Sequence, residues 1–258
     1  IRKLQELINL ARKYAPTRVA VAAAAHELVL ESVQRAVDLG LIEPLLVGRE
    51  DDIRERAEAL GWRLRDDQIV GTPTNTAAAA TAVDLVREGR AQVLMKGYLH
   101  TDEMLKAVLR QDVGLRTDRL LSHVFVLEVP TYHKLLLITD AAINITPDIA
   151  KKAIITQNAV DLARKLGVEL PKVAALSSIE TVNPNIASTV HAACLSKMAE
   201  RGQIKGAIVD GPLAFDNAIS AEAASDKGIK SPVSGDVDVV VVPDLDAGNI
   251  LSKNLEYL

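Results

Sequence analysis

The stretch V-L-M-K-G-Y-L-H-T-D-E-M-L at 93–105 brings a cation, Lys96, an imidazole, His100, and a hydroxyl, Thr101, into one turn around Gly97. A connection that only reversed the chain could be made from Gly, Asn and Pro. Thr101 stands where a helix begins, so the orphan N–H groups of the first turn and the positive helix end form an anion site. Lys96 adds a full charge, His100 and Thr101 add directional hydrogen bonds, and Gly97 permits the tight turn. The chemistry this suits is phosphate binding. A plainer reading makes Thr101 a helix cap that accepts from the Met104 amide, with Lys96 solvated. Because Lys96 directly follows the apolar V-L-M, solvation is awkward and a ligand is expected.

Similar clusters follow other apolar runs. L-L-L-I-T-D ends in Asp140, with Asn144 close behind. K-V-A-A-L leads into Ser177, Glu180 and Asn183. A-I-V-D-G-P carries Asp210, followed by Asp216 and Asn217, and V-V-V-V-P-D ends in Asp244, followed by Asn249. Any one of these could be ordinary turn and cap chemistry, but together they suggest a lined cleft. Asp140, Asp210, Asp216 and Asp244 are the residue type that holds Mg²⁺, although their spacing does not demand an ion. G-T-P-T-N-T at 71–76 reads as a turn and cap that could line the same cleft. His191 and Cys194 are three apart on one helix; Cys194 falls on its apolar stripe and reads as a buried structural thiol. No CxxC pair, HExxH or GxxxxGK[ST] is present, so zinc and P-loop chemistry have no support.

The elements that must position these residues alternate. Strands are expected at 18–23, 44–47, 93–95, 123–129, 135–138, 172–176, 207–209 and 237–242. Helical periodicity covers 4–14, 28–39, 53–60, 77–86, 104–109, 149–166 and 186–199. Gly40, Gly61, Gly89 and Gly167 stand where helices end. Such alternation implies an α/β protein with parallel sheets and ligands at the carboxyl ends of the strands. The exception is a β-hairpin around P-T-Y-H-K at 130–134. With the linker-like Q-D-V-G-L-R-T-D-R before it, it places a boundary near residue 120, giving α/β domains at 1–120 and 121–258.

The 258 residues are 48% hydrophobic and 25% charged, enough for two such domains. A net charge of −4 and 3% aromatics argue against nucleic-acid binding. The longest all-apolar run, at 19–25, is too short to span a membrane. One cysteine and no signal peptide lead us to expect a cytoplasmic protein, and a chain opening I-R-K-L-Q reads as a piece of a longer one.

Six segments, in order, carry a resemblance. L-M-K-G-Y-L-H-T-D-E-M-L, R-L-L-S-H-V-F-V-L-E-V-P, I-T-D-A-A-I-N-I-T-P-D, S-S-I-E-T-V-N-P, V-D-G-P-L-A-F-D-N-A-I-S and V-P-D-L-D-A-G-N resemble the phosphate acetyl/butyryltransferase family. The likeness is strongest to its phosphate-butyryltransferase branch, including the form fused to an enoyl-CoA hydratase domain. The resemblance implies acyl-CoA + phosphate ⇌ acyl phosphate + CoA. It further implies a cleft between two domains of the isocitrate/isopropylmalate dehydrogenase-like fold, a homodimer, no metal, and coenzyme A as a substrate rather than a cofactor. On that basis Lys96, His100 and Asn144 are expected to be catalytic. Gly97, Thr101, Asn183, Asp210, Asp216 and Asn249 are expected to bind substrate, the asparagines as donors and the aspartates as their orienters. One departure stands out. The family's chain runs on past the segment matching G-N-I-L-S-K-N-L-E-Y-L and returns to the first domain with a Ser-Arg pair, whereas this sequence stops at Leu258. Two alternatives are a metal- and NAD-dependent decarboxylating dehydrogenase of the same fold, and a non-catalytic CoA-binding or dimerisation module. Acyl-chain length is not legible.

Overall fold

A computed structural model describes residues 2–258, which form two compact units, one of residues 8–118 and one of residues 2–7, including the start of the first helix, with residues 119–258. In the first, four parallel strands run β1 (Thr17–Ala22), β2 (Ile42–Gly48), β3 (Ile69–Gly71) and β4 (Val93–Lys96), in the spatial order β3-β2-β1-β4. Helix α1 (Leu4–Ala11) precedes them, and α2 (Glu27–Asp38), α3 (Glu50–Ala59), α4 (Asn75–Arg87) and α5 (Thr101–Val108) follow the strands in turn. Strand alternation divides the core between two faces. Val19, Val21 and Leu46 pack with Leu30, Val33, Ile53 and Ala57 of α2 and α3. Ala20, Ala22 and Val47 pack with the alanine-rich stripe of α4 and with Met104 and Ala107 of α5. After β1 the chain therefore leaves to one face, and after β4 to the other. That divergence is a topological switch point, where open α/β sheets leave a crevice at their carboxyl edge.

The second unit holds a five-stranded sheet in the order β5-β6-β9-β7-β8. Its strands are β5 (Phe125–Leu127), β6 (Leu136–Thr139), β7 (Lys172–Leu176), β8 (Ile208–Leu213) and β9 (Val239–Val241). β5 pairs antiparallel with β6, Phe125 opposite Ile138, and the other pairings are parallel. On one face α6 (Ile149–Lys165) and α7 (Ala187–Glu200) cover Leu137, Val173, Val239 and Val241. On the other, α8 (Phe215–Ile219) and α10 (Leu245–Tyr257) cover Ile138, Ala174, Val240 and Val242, with α9 (Ala221–Asp226) beside them. No helix among the described residues is long and apolar enough to cross a membrane.

Candidate functional site

Strand β4 lies at the edge of its sheet, and this decides where Lys96 goes. Val93 is 45% exposed and Lys96 is exposed as well. The expectation that solvating Lys96 would be awkward is thus corrected, because only one side of that strand has a neighbour. The ammonium folds over its own turn, donating to the carbonyls of Gly97 (3.2 Å) and Leu99 (3.0 Å) and keeping a third proton.

Gly97 does something other than open a tight turn. It is buried against the end of β1, its N–H donating to Ala22 O at 2.8 Å, and Tyr98 N–H donates to Ala23 O at 2.9 Å. A Cβ on Gly97 would lie 2.5 Å from both of those carbonyl oxygens. Glycine here lets two loops touch backbone to backbone.

Helix α5 begins at Thr101 with His100 at its N-cap, so the capping position lies one residue earlier than the sequence suggests. His100 makes no side-chain cap bond, and His100 and Thr101 are both exposed. The helix end already holds an anion. The Asp102 carboxyl is kept below its ordinary range by a hydrogen bond from Lys106, 3.1 Å away, and by the amides of Asp102 and Glu103, against the opposing effect of desolvation.

Around this turn lies a pocket of about 340 Å³ lined by Asn75, Lys96, Gly97, Tyr98, Leu99, His100 and Glu103. Asn75 comes from the G-T-P-T-N-T stretch, where Thr74 caps α4 and the Asn75 amide donates to Tyr98 O at 3.2 Å. Tyr98 was missed by sequence reasoning. The residue is 62% exposed, and its ring stacks on His26, centroids 3.9 Å apart and planes within 13°. An aromatic in a polar turn after a strand is the signal that could have found it.

In the second unit the predicted residues are largely committed to their own loops. Asp140 is buried and accepts from the amides of Ala142, Ile143 and Asn144 and from the Asn144 side chain, at 2.6–3.3 Å. Asn144 gives its amide protons to Asp140 and to Leu121 O (3.0 Å). Asn183 Oδ1 accepts from Asn185 N–H, and its backbone is held by the buried hydroxyl of Thr189. Asp210 accepts from Gly211 N–H at 2.9 Å. Asp216 and Glu180 share Lys227, at 3.0 and 2.9 Å, and Asn217 also donates to Glu180. These pairings hold both carboxyls below their ordinary range, the Lys227 hydrogen bond being the largest cause. Asp244 caps α10, and Asn249 donates to Ala141 O at 3.2 Å. No group of three or more His, Cys, Asp or Glu among the described residues could hold a metal ion.

Cys194 is exposed, which corrects the expected buried thiol. The neighbour of His191 is Lys152, buried on α6, whose Nζ lies 3.1 Å from His191 Nδ1. Burial lowers the pKa of both groups. Lys152 lowers His191 further while Asp148 opposes the shift, and Asp244 opposes that of Lys152.

Comparison with known proteins gives a consistent picture. Residues 69–258 match the family model described as phosphate acetyl/butaryl transferase. The chain is 52% identical over 99% of its length to a phosphate acetyltransferase of Rhizobium meliloti, covering 81% of that protein. It is 42% identical over its full length to a phosphate butyryltransferase of Clostridium acetobutylicum, covering 85% of that one. Among solved structures, a branched-chain phosphotransacylase from Enterococcus faecalis aligns with a TM-score of 0.80 and 34% identity, over 93% of this chain and 84% of that one.

Proposed function

The chain belongs to the phosphate acetyl/butyryltransferase family, and from that premise we propose how its residues divide the work. It is a transferase that moves an acyl group reversibly between coenzyme A and inorganic phosphate. The reaction asks little of a protein in proton transfer. Phosphate is already partly dianionic near neutral pH and needs positioning more than deprotonation. Its oxygen attacks the thioester carbonyl, the oxyanion formed needs donors aimed at it, and the CoA thiolate leaves, with a thiol pKa of about 8.5 by analogy with cysteine.

We assign Lys96, His100 and Thr101, with Gly97, to phosphoryl oxygens of a substrate. The observation that carries this assignment is a pocket at the carboxyl edge of β4 whose lysine keeps a free proton and whose histidine makes no cap bond; Thr101 does not line it but opens the helix beside it. Asn144 and Asn249 act on the substrate indirectly in this reading, by shaping the loop after β6 that both of them brace. Asn183 binds through the loop after β7, Asp216 from the start of α8, and Asp210 from within β8, which runs on past the strand end expected at residue 209. The transferred group is a short acyl chain, coenzyme A is a substrate, and no separate cofactor is required. The wider reading is a cytoplasmic homodimer of the isocitrate/isopropylmalate dehydrogenase-like fold, fused to or working beside an enoyl-CoA hydratase domain. Its support is the six-segment resemblance and the parallel α/β architecture of both units.

The test is thiol release from acetyl-, butyryl- and crotonyl-CoA with and without phosphate. Phosphate-dependent release with acyl phosphate as product is expected. Release that ignores phosphate, or none with any of the three, would overturn the reading.

A further inference from the structure

We propose that Tyr98, backed by His26, is the platform on which the adenine ring of coenzyme A stacks, so that the pocket beside it takes the nucleotide end of that substrate and not free phosphate. The inference rests on the acyltransferase reading and assigns which part of which substrate this pocket holds.

Four observations support it. First, Tyr98 and His26 sit on the two loops that leave β1 and β4 toward opposite faces of the sheet. Doubly wound sheets bind nucleotides in that crevice, because the loops part there and leave room.

Second, the ring is held as a platform would be. One face of Tyr98 is covered by the nearly parallel imidazole at 3.9 Å, while the residue as a whole remains 62% exposed, which leaves the other face to solvent. The backbone is pinned from both sides, its N–H donating to Ala23 O and its carbonyl accepting from Asn75. A stacking surface fixed in advance loses little entropy when a base settles on it.

Third, His26 is not there to cap α2. It occupies the N-cap without a side-chain cap bond, and its Nδ1 is buried with no partner. Ser, Thr, Asp or Asn would serve that position better, and an orphaned buried nitrogen carries a cost. Its ring contact is with Tyr98.

Fourth, the charges suit a nucleotide better than a bare dianion. The pocket carries Lys96 and His100 but also Glu103, and Asp102 stands beside it in the first turn of α5. Free phosphate would bring its charge up against that carboxylate with only P–OH protons to satisfy it. The adenosine phosphate of coenzyme A offers phosphoryl oxygens to Lys96 and, to Glu103, the protons of an amine or a ribose hydroxyl.

The experiment compares acyl-CoA with the corresponding acyl-pantetheine, which has the same thioester and lacks the nucleotide. Tyr98→Ala, Tyr98→Leu and Tyr98→Phe are assayed with both, and 3′,5′-ADP binding is measured by calorimetry. Base–aromatic stacking predicts that the ratio of KM for acyl-CoA to KM for acyl-pantetheine rises roughly five- to a hundredfold in the Ala and Leu variants and little in the Phe variant. Binding of 3′,5′-ADP should weaken by a similar factor. An unchanged ratio, or 3′,5′-ADP affinity indifferent to Tyr98, would overturn the proposal. If the wild type released no thiol from any acyl-CoA yet bound 3′,5′-ADP through Tyr98, the activity reading would fall and the nucleotide site would stand.

Discussion

Two cations in this chain show how differently the same side chain can be used. Lys96 lies at an exposed strand edge with two protons on its own turn and one to spare. Lys96→Met keeps the stem and removes the charge. A charge-assisted hydrogen bond is worth about 1.5–3 kcal/mol, so KM for acyl-CoA should rise by roughly ten- to a hundredfold. The melting temperature should hold, since water can replace the lysine at the two turn carbonyls; steady-state kinetics beside a thermal melt checks both. Lys152 is the opposite case, buried against His191 with Asp148 and Asp244 nearby. The folded chain keeps His191 neutral below its ordinary range because of burial and then the adjacent ammonium. Unfolded, the imidazole protonates near about pH 6.5. The stability it contributes is therefore whole above that pH and is lost as pH falls through the lower folded value. Urea midpoints should drop between about pH 7 and 5, and His191→Gln should flatten that drop. An equally steep fall in the variant would place the acid sensitivity elsewhere. Neither the edge position of Lys96 nor the Lys152–His191 contact is written in local sequence. The first depends on strand order, and the second joins residues 39 apart.

At the scale of elements, periodicity and punctuation made most of the architecture legible. All eight expected strands and seven expected helices occur, with ends shifted by a few residues. The failures have physical causes. β3 is three residues long and follows a single turn of tight helix, too short for any period to show. α10 contains D-A-G-N, which reads as a loop because glycine weakens a helix interior. Gly248 is tolerated there because a Cβ would lie 2.7 Å from Val242 and 2.9 Å from Asp140 O, so the helix needs its absence to pack down. Gly97 plays the same part between β1 and β4, against less forgiving neighbours. Gly97→Ala would drive a methyl into two backbone carbonyls at 2.5 Å. It should cost about 1–3 kcal/mol, as overpacking does, and should weaken substrate binding by separating the two loops that carry His26 and Tyr98. Urea denaturation with 3′,5′-ADP titration checks both; full stability in the variant would show that the loops part freely.

For the whole molecule, the question is what lies against the second unit. Its described surface leaves Ile145 at 73%, Ile250 at 62% and Val182 at 56% exposed, with Leu170 exposed as well. Single apolar residues on a surface are ordinary, so exposure alone does not name a partner. The homodimer proposed above would name one, a second copy. A net charge of −4 is too small to keep two such chains apart at physiological salt. Closed two-fold pairing is also the commonest way for identical chains to cover such residues. Sedimentation equilibrium of dilute protein should give twice the chain mass, with dissociation appearing only well below micromolar concentration. Urea midpoints should then rise with protein concentration, because association and folding are linked. A stable monomer at low micromolar concentration, with midpoints independent of dilution, would leave those side chains to solvent and remove the second copy from the proposal.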